Sequence, residues 1–241
     1  MSKTEEFRRI YIRHADKEYA NGDADMFKHD PGITENGVEK SKMVARHLVD
    51  QWGKPNRIIV SPYRRTRETA AQMNSILDKP VPIHVDISLS EYLGNHRTVP
   101  IDVTERTKVH EPPHPESFSD MKRRVRRHNQ KISAYGKTTG NGIVWIVTHG
   151  LIIKQVADLM GVKMAKEFPT LTCLSIVEGE KIIRSEVIIF NETNPDNTRD
   201  DLNNRENRDN TDNRDSMENI DNIENDSDEL DQEDKIALPI Y

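Results

Sequence analysis

One cysteine, Cys173, stands in a chain of 241 residues. That excludes an internal disulfide framework and any CxxC metal knuckle, and it fits a reducing compartment. Aromatic residues are scarce, at 5%. Long apolar runs are missing too. The longest, residues 143–147, is strand-sized, whereas a membrane helix needs roughly 18–20 residues. The opening stretch, MSKTEEFRR, lacks the apolar segment of a secretory signal. No repeat with a period of about 20–50 residues is visible. The expectation is a soluble, cytoplasmic protein with no membrane partner.

Charge is what the chain has in quantity: 32% of residues are charged against 34% hydrophobic, and mean hydropathy is −0.80. Spread evenly, that composition would sit near the disordered class. It is spread unevenly. Residues 191–241 hold 17 acidic residues, 5 basic residues and 11 asparagines, a net charge of −12, which leaves residues 1–190 at +6. Two units are therefore expected. Residues 1–190 form a mildly basic globular domain. Residues 191–241 form a disordered acidic tail, with almost no apolar side chains to offset the entropy of ordering it. Its last six residues, IALPIY, regain hydrophobicity. A plain apolar end is the simpler reading, and a docking segment for a partner is the other.

The globular part alternates strand and helix. Residues 9–13 read as a strand. Thr34 is a good N-cap for a helix whose apolar positions Val38, Ala45, Leu48, Val49 and Trp52 follow helical spacing, with Gly53 and Pro55 to stop it. Residues 57–60 are β-rich, 64–77 helical, and 81–87 a further strand. Residues 88–115 are irregular. A helix over 117–135, a buried strand over 143–147, a helix over 151–160 and two closing strands over 170–177 and 181–189 complete the pattern. This order predicts a three-layer αβα sandwich with a mostly parallel central sheet, right-handed crossovers, and a ligand site at the carboxyl ends of the strands.

Three strand ends carry similar chemistry. The first runs into Arg13-His14, the second into Ser61-Pro62-Tyr63-Arg64-Arg65, and the strand over 143–147 into Thr148-His149-Gly150 with a helix starting at once. In a parallel sheet these converge on one rim. Imidazoles, guanidiniums and a helix amino terminus crowd together only around an anion, and guanidinium forks match phosphate oxygens. Nearby positive charge keeps a histidine nitrogen free to attack. The chemistry that suits this set is phosphoryl transfer to a histidine, with arginines neutralising the phosphoryl oxygens and no metal required.

Arg13-His14-Ala15, the run from Ser61 to Ala70 (SPYRRTRETA) and Val147-Thr148-His149-Gly150 together resemble the three signatures of the histidine phosphatase superfamily, the phosphoglycerate-mutase-like fold. Ile33-Thr34-Glu35-Asn36-Gly37 is similar to the family's helix start. Leu89-Ser90-Glu91-Tyr92 resembles the segment that carries its acid, and Pro115-Glu116-Ser117 with Arg124-Val125 resembles the helix before its last catalytic strand. The likeness spans about residues 8–178 in the family's order. It implies that His14 is the nucleophile that becomes phosphohistidine. It also implies that Arg13 and Arg65 hold the phosphate, that His149 is a protonated partner of the phosphate, and that Glu91 is the general acid, with Asp16 as a rival. No cofactor and no metal are implied.

Two departures bear on the branch. Ala15 stands where the family usually has glycine, and Asp16-Lys17-Glu18 replaces the pattern of the mutase branch. The expected activity is therefore a metal-independent phosphatase acting on a phosphorylated small molecule or phosphoprotein. A phosphoglycerate-type mutase or sugar-bisphosphatase is one alternative, and an inactive binding or scaffold protein is another. The basic run Lys122-Arg123-Arg124-Val125-Arg126-Arg127-His128 lacks the interleaved aromatics of a nucleic-acid surface and reads as the solvated face of an amphipathic helix. Nucleic acid is not an expected partner. The other histidines (His29, His47, His84, His96, His110, His114 and His128) show no metal-ligand spacing.

Overall fold

The computed structural model describes residues 6–18, 30–95, 115–139, 142–178 and 183–190. The acidic tail, its IALPIY end, residues 96–114, and His29, His96, His110 and His114 lie outside the described residues. In chain order the elements are β1 (Phe7–Arg13), α1 (Glu35–Trp52), β2 (Arg57–Val60), α2 (Arg64–Ser75), β3 (Ile83–Val85), a 3-10 turn (Ile87–Leu89), α3 (Phe118–Thr139), β4 (Gly142–Thr148), α4 (Gly150–Leu159), β5 (Cys173–Glu178) and β6 (Ile183–Ile188).

The six strands form one sheet in the order β3-β2-β4-β1-β5-β6. β1, β2, β3 and β4 pair in parallel, while β5 runs antiparallel to both β1 and β6. Strand alternation sorts the core into two layers. Ile10 and Ile12 of β1 face α1 and α2, packing with Leu48 and Met73. Phe7 and Tyr11 face the opposite way, towards α3 and α4, with Met121, Val125, Ile152 and Val156. Period-two alternation in a strand covered on both faces makes the three-layer sandwich.

Local chemistry sets the boundaries. The Thr34 hydroxyl accepts a hydrogen bond from the Gly37 N–H at 3.0 Å and starts α1, and Gly53, at φ 94°, ends it with an N–H to the Val49 carbonyl at 2.7 Å. The strand expected over 81–87 is cut to three residues. The Asp86 carboxylate accepts from the Ser88 N–H at 2.8 Å and turns the chain into the 3-10 segment instead. The strand expected from residue 170 starts at Cys173, because Leu171 takes φ 61° and turns there. That left-handed conformation costs a branched side chain about 1–2 kcal/mol. It is held by the Leu171 N–H on the Arg13 carbonyl (3.1 Å) and by burial of the side chain.

Helix α3 continues past residue 135 because Gly136 faces inward against Phe7. Its buried positions Met121, Val125, His128 and Ile132 follow helical spacing. The basic run divides accordingly. Lys122, Arg123, Arg126 and Arg127 are exposed, whereas His128 is buried and Arg124 is half-buried. The run is thus not one solvated face. No helix among the described residues is long and apolar enough to cross a membrane.

A Cβ at Gly136 would land on the Phe7 ring. Alanine gains about 1 kcal/mol of helix propensity over glycine, but overpacking a filled site costs about 1–3 kcal/mol. Gly136→Ala is expected to lower the urea unfolding midpoint by a net loss of about 1 kcal/mol. A variant more stable than the wild type would show that Phe7 yields freely.

Candidate active site

Register alone brings three strand ends to one level. Arg13 of β1 pairs with Thr148 of β4, and Val60 of β2 pairs with Val147. The next residues are fixed by backbone bonds across the sheet: the His14 N–H to the Thr148 carbonyl at 2.9 Å, and the Ser61 N–H to the Val147 carbonyl at 3.0 Å. His14 and His149 meet edge to face, their ring centroids 5.5 Å apart.

His14 is buried, with Nδ1 2.8 Å from the Ala15 carbonyl oxygen. A carbonyl only accepts, so Nδ1 carries the proton and Nε2 keeps its lone pair. Burial and the Arg65 charge push the His14 pKa down to about 3, with Arg13 and Lys17 adding to the effect and the Ala15 bond opposing it. The Ala15 N–H in turn donates to the Thr69 hydroxyl at 3.0 Å, and that hydroxyl donates to the Arg65 carbonyl at 2.7 Å. Gly37 lets the start of α1 close on this segment: a Cβ there would stand 3.0 Å from the Asp16 carbonyl oxygen.

Arg65 is the hub. Its side chain is buried, with Nη1 3.4 Å from the Asp30 carboxylate, Nη2 donating to Glu91 and, at 3.3 Å, to His149 Nδ1, and its guanidinium carbon 4.7 Å from the centre of the Tyr63 ring. Arg64, next in sequence, turns out to Glu68 at 2.6 Å. Because His149 Nδ1 accepts from Arg65, neutral His149 holds its proton on Nε2 and donates it to the Ser61 hydroxyl at 2.8 Å. Complete burial first, then the charges of Arg65 and its neighbours, hold the His149 pKa well below the ordinary value. The resemblance gives His149 its proton only in contact with a phosphate. A phosphate dianion would reverse the sign of the local field.

Glu91 is the carboxylate that meets this group. It accepts from Arg65 and lies 3.7 Å from His149 Nδ1. Asp16 is directed elsewhere, its two oxygens taken by the Thr170 hydroxyl at 2.5 Å and Lys40 at 3.2 Å. Burial pushes its pKa up, but those two donors outweigh burial and hold it below the ordinary carboxylate value. Arg13 stands at the edge of the group. Its Nη1 donates to the Phe168 carbonyl, while its charge still acts on both histidines.

Sequence reasoning passed over four contributors. Asp30 is fully buried, accepts from the Arg64 N–H at 2.8 Å at the start of α2, and faces Arg65. The Asp30-Pro31-Gly32 turn before Thr34 was its only local signal. Lys17 is half-buried, and burial lowers its pKa, with Glu91 opposing and Arg65 and Arg13 adding. Its ammonium therefore shares the field of the site. Arg124 and His128 support the segment that bears Glu91. Arg124 donates to the Ser88 carbonyl at 2.7 Å and grips Glu116 at 2.5 and 2.8 Å, and His128 Nδ1 meets Asp86 at 2.9 Å. The Thr148 hydroxyl holds the Leu89 carbonyl at 2.9 Å.

His14, His149, the buried Arg65 guanidinium and Glu91 thus meet at the carboxyl rim of the sheet. The model of the histidine phosphatase superfamily (branch 1) matches residues 10–182, and the chain belongs to that superfamily. Solved structures with the same fold include a phosphoglycerate mutase from Bacillus anthracis (18% identity, TM-score 0.55, covering 77% of this chain and 93% of that one). A mycobacterial glucosyl-3-phosphoglycerate phosphatase is similar (19%, TM-score 0.52, 76% and 98%). So is the protein histidine phosphatase SixA complexed with tungstate (19%, TM-score 0.51, 74% and 94%). A comparison with curated protein sequences finds no match.

The depressed His14 pKa has a thermodynamic consequence. The folded state refuses a proton that the unfolded chain accepts below pH 6.5, so stability falls as pH drops from 6.5 towards about 3. His14→Asn removes this term. Between about pH 7 and about pH 5 the variant is expected to lose about 2 kcal/mol less stability than the wild type in urea titrations. Equal losses would contradict a neutral, buried His14.

Proposed function

We propose that the protein is a metal-independent phosphatase that hydrolyses a phosphomonoester through a phosphohistidine at His14. The observation that carries this reading is the fixed tautomer of His14, whose unprotonated Nε2 lies among cations. In the first step the Nε2 lone pair forms an N–P bond as the P–O bond to the leaving group breaks. Arg65, Arg13, Lys17 and the amino terminus of α4 neutralise the phosphoryl oxygens. Glu91 accepts from Arg65, and a phosphate takes its place there. Glu91, as the carboxylic acid, gives its proton to the departing oxygen. In the second step Glu91, now a carboxylate, takes a proton from water as its oxygen attacks phosphorus. The N–P bond breaks, His14 is restored, and inorganic phosphate leaves.

The catalytic unit in this reading is residues 1–190. Phe190, edge-on to His47 at 5.3 Å, closes it against the core. A cytoplasmic setting agrees with the single, buried cysteine. The substrate is a phosphorylated small molecule or phosphoprotein. The three similar proteins are named for different substrates, which supports phosphoryl chemistry as the shared element and leaves the choice of substrate to this chain's own residues.

Hydrolysis of p-nitrophenyl phosphate in EDTA, with wild type, His14→Ala and Glu91→Gln side by side, tests the reading. Wild-type turnover is expected to survive EDTA and His14→Ala to lack it while staying folded by circular dichroism. Glu91→Gln should keep the initial burst of p-nitrophenol, whose release needs no proton, but slow the steady turnover that needs its base, and on an alkyl phosphate it should lose the first step as well, by about 10²–10⁴-fold. Turnover by folded His14→Ala would place the nucleophile elsewhere. Loss of activity in EDTA would refute the metal-free mechanism.

A further inference from the structure

A second recess opens beside the phosphate pocket. Its volume is about 750 Å³, and its lining includes Arg13, Leu151 and Lys154 from the start of α4, and Lys166, Glu167 and Phe168 from the segment that leads into β5. The size falls within the roughly 300–1,000 Å³ of small-molecule sites. Arg13 lines the recess and acts on the site beside it. Its Nη1 is tied to the Phe168 carbonyl, its guanidinium carbon is 5.7 Å from the Phe168 ring centre, and its charge reaches His14 and His149. A molecule that spans the pocket and the recess stays in contact with one guanidinium throughout.

The composition of the walls is selective. Three cations face one carboxylate, Glu167. Leu151 leaves 37% of its surface exposed at the mouth, on a helix whose other apolar residues near it, Ile152 and Ile153, are fully buried. An apolar surface under lysines suits a ligand with an apolar body and an anionic end. A neutral, polar alcohol would offer nothing to Lys154 and Lys166 and would leave Leu151 in water.

We propose that this recess is the leaving-group subsite of the enzyme, and that it selects small phosphomonoesters whose alcohol part carries a second anionic group on an apolar body. The proposal rests on the phosphatase reading for its substrate, but the recess can be tested without turnover. Glu167 disfavours a cationic end, and Lys154 and Lys166 supply the preference for an anionic one.

The test is calorimetric binding of two non-hydrolysable probes, (4-carboxybenzyl)phosphonate and its neutral carboxamide analogue, to the full chain and to Lys154→Gln/Lys166→Gln. The wild type is expected to bind the carboxylate more tightly, and the double variant to lose about tenfold of that preference, as expected for two partly exposed ion pairs. Equal preference in the two proteins, no preference in the wild type, or no binding of either probe would overturn the proposal. The p-nitrophenyl phosphate assay, whose alcohol part carries no second anion, reads the phosphatase reaction separately. A preference that depends on the lysines in a protein without turnover would uphold the recess and sink the phosphatase reading.

Discussion

Burial of the Arg65 guanidinium is the constraint on which the site depends. A charge taken out of water costs several kcal/mol unless partners replace the lost hydration. Here the partners come from four separate parts of the chain: Asp30 before α1, Tyr63 ahead of α2, Glu91 after the 3-10 turn, and His149 at the start of α4. Each must be in place for the guanidinium to be tolerated, so the folding of these segments is linked to the assembly of the site. Asp30 also bonds the first N–H of α2. It thus fixes the helix that carries Arg65 as well as the charge itself.

The same charge sets the state of both histidines. Arg65 is the largest influence after burial on each. With both rings neutral, His14 keeps an unprotonated nitrogen, as the proposed phosphohistidine route needs, and His149 keeps a donor for Ser61. The site places its cations on Arg13, Lys17 and Arg65, around imidazoles whose pKa values are held down. Glu91 and Asp30 balance part of that charge. Glu91 is about one-third exposed and can be displaced, whereas Asp30 is fully buried. This asymmetry separates a carboxylate that can move protons from one that holds a frame.

Much of this frame was legible in the sequence, and the exceptions have physical reasons. The edges of β2 and the start of α1 follow from a short apolar run and from Thr34, both local signals. The convergence of Arg13-His14, Ser61-Arg65 and Thr148-His149 follows from parallel pairing of strands that end in those residues. The direction of β5 was not legible. It is set by the path of the chain after α4, which climbs back to the rim before β5 descends, and no residue pattern encodes that return. Asp30 and Lys17 were missed because their partners are distant in sequence or grouped only by the fold. Arg124 and His128 were hidden inside a run of like charges. The helical phase could have found them, since Met121, Val125 and Ile132 mark the buried side and both residues lie one turn from a member of that set.

The central claim is that His14 carries the phosphoryl group. The most direct measurement is mass spectrometry of the full chain quenched in base during turnover of p-nitrophenyl phosphate, since phosphohistidine survives base and is lost in acid. The account predicts one added phosphoryl group, about 80 Da, on the peptide that contains His14, formed and discharged at rates that match turnover. Turnover with no phosphorylated His14, or with the phosphoryl group on another residue, would contradict it.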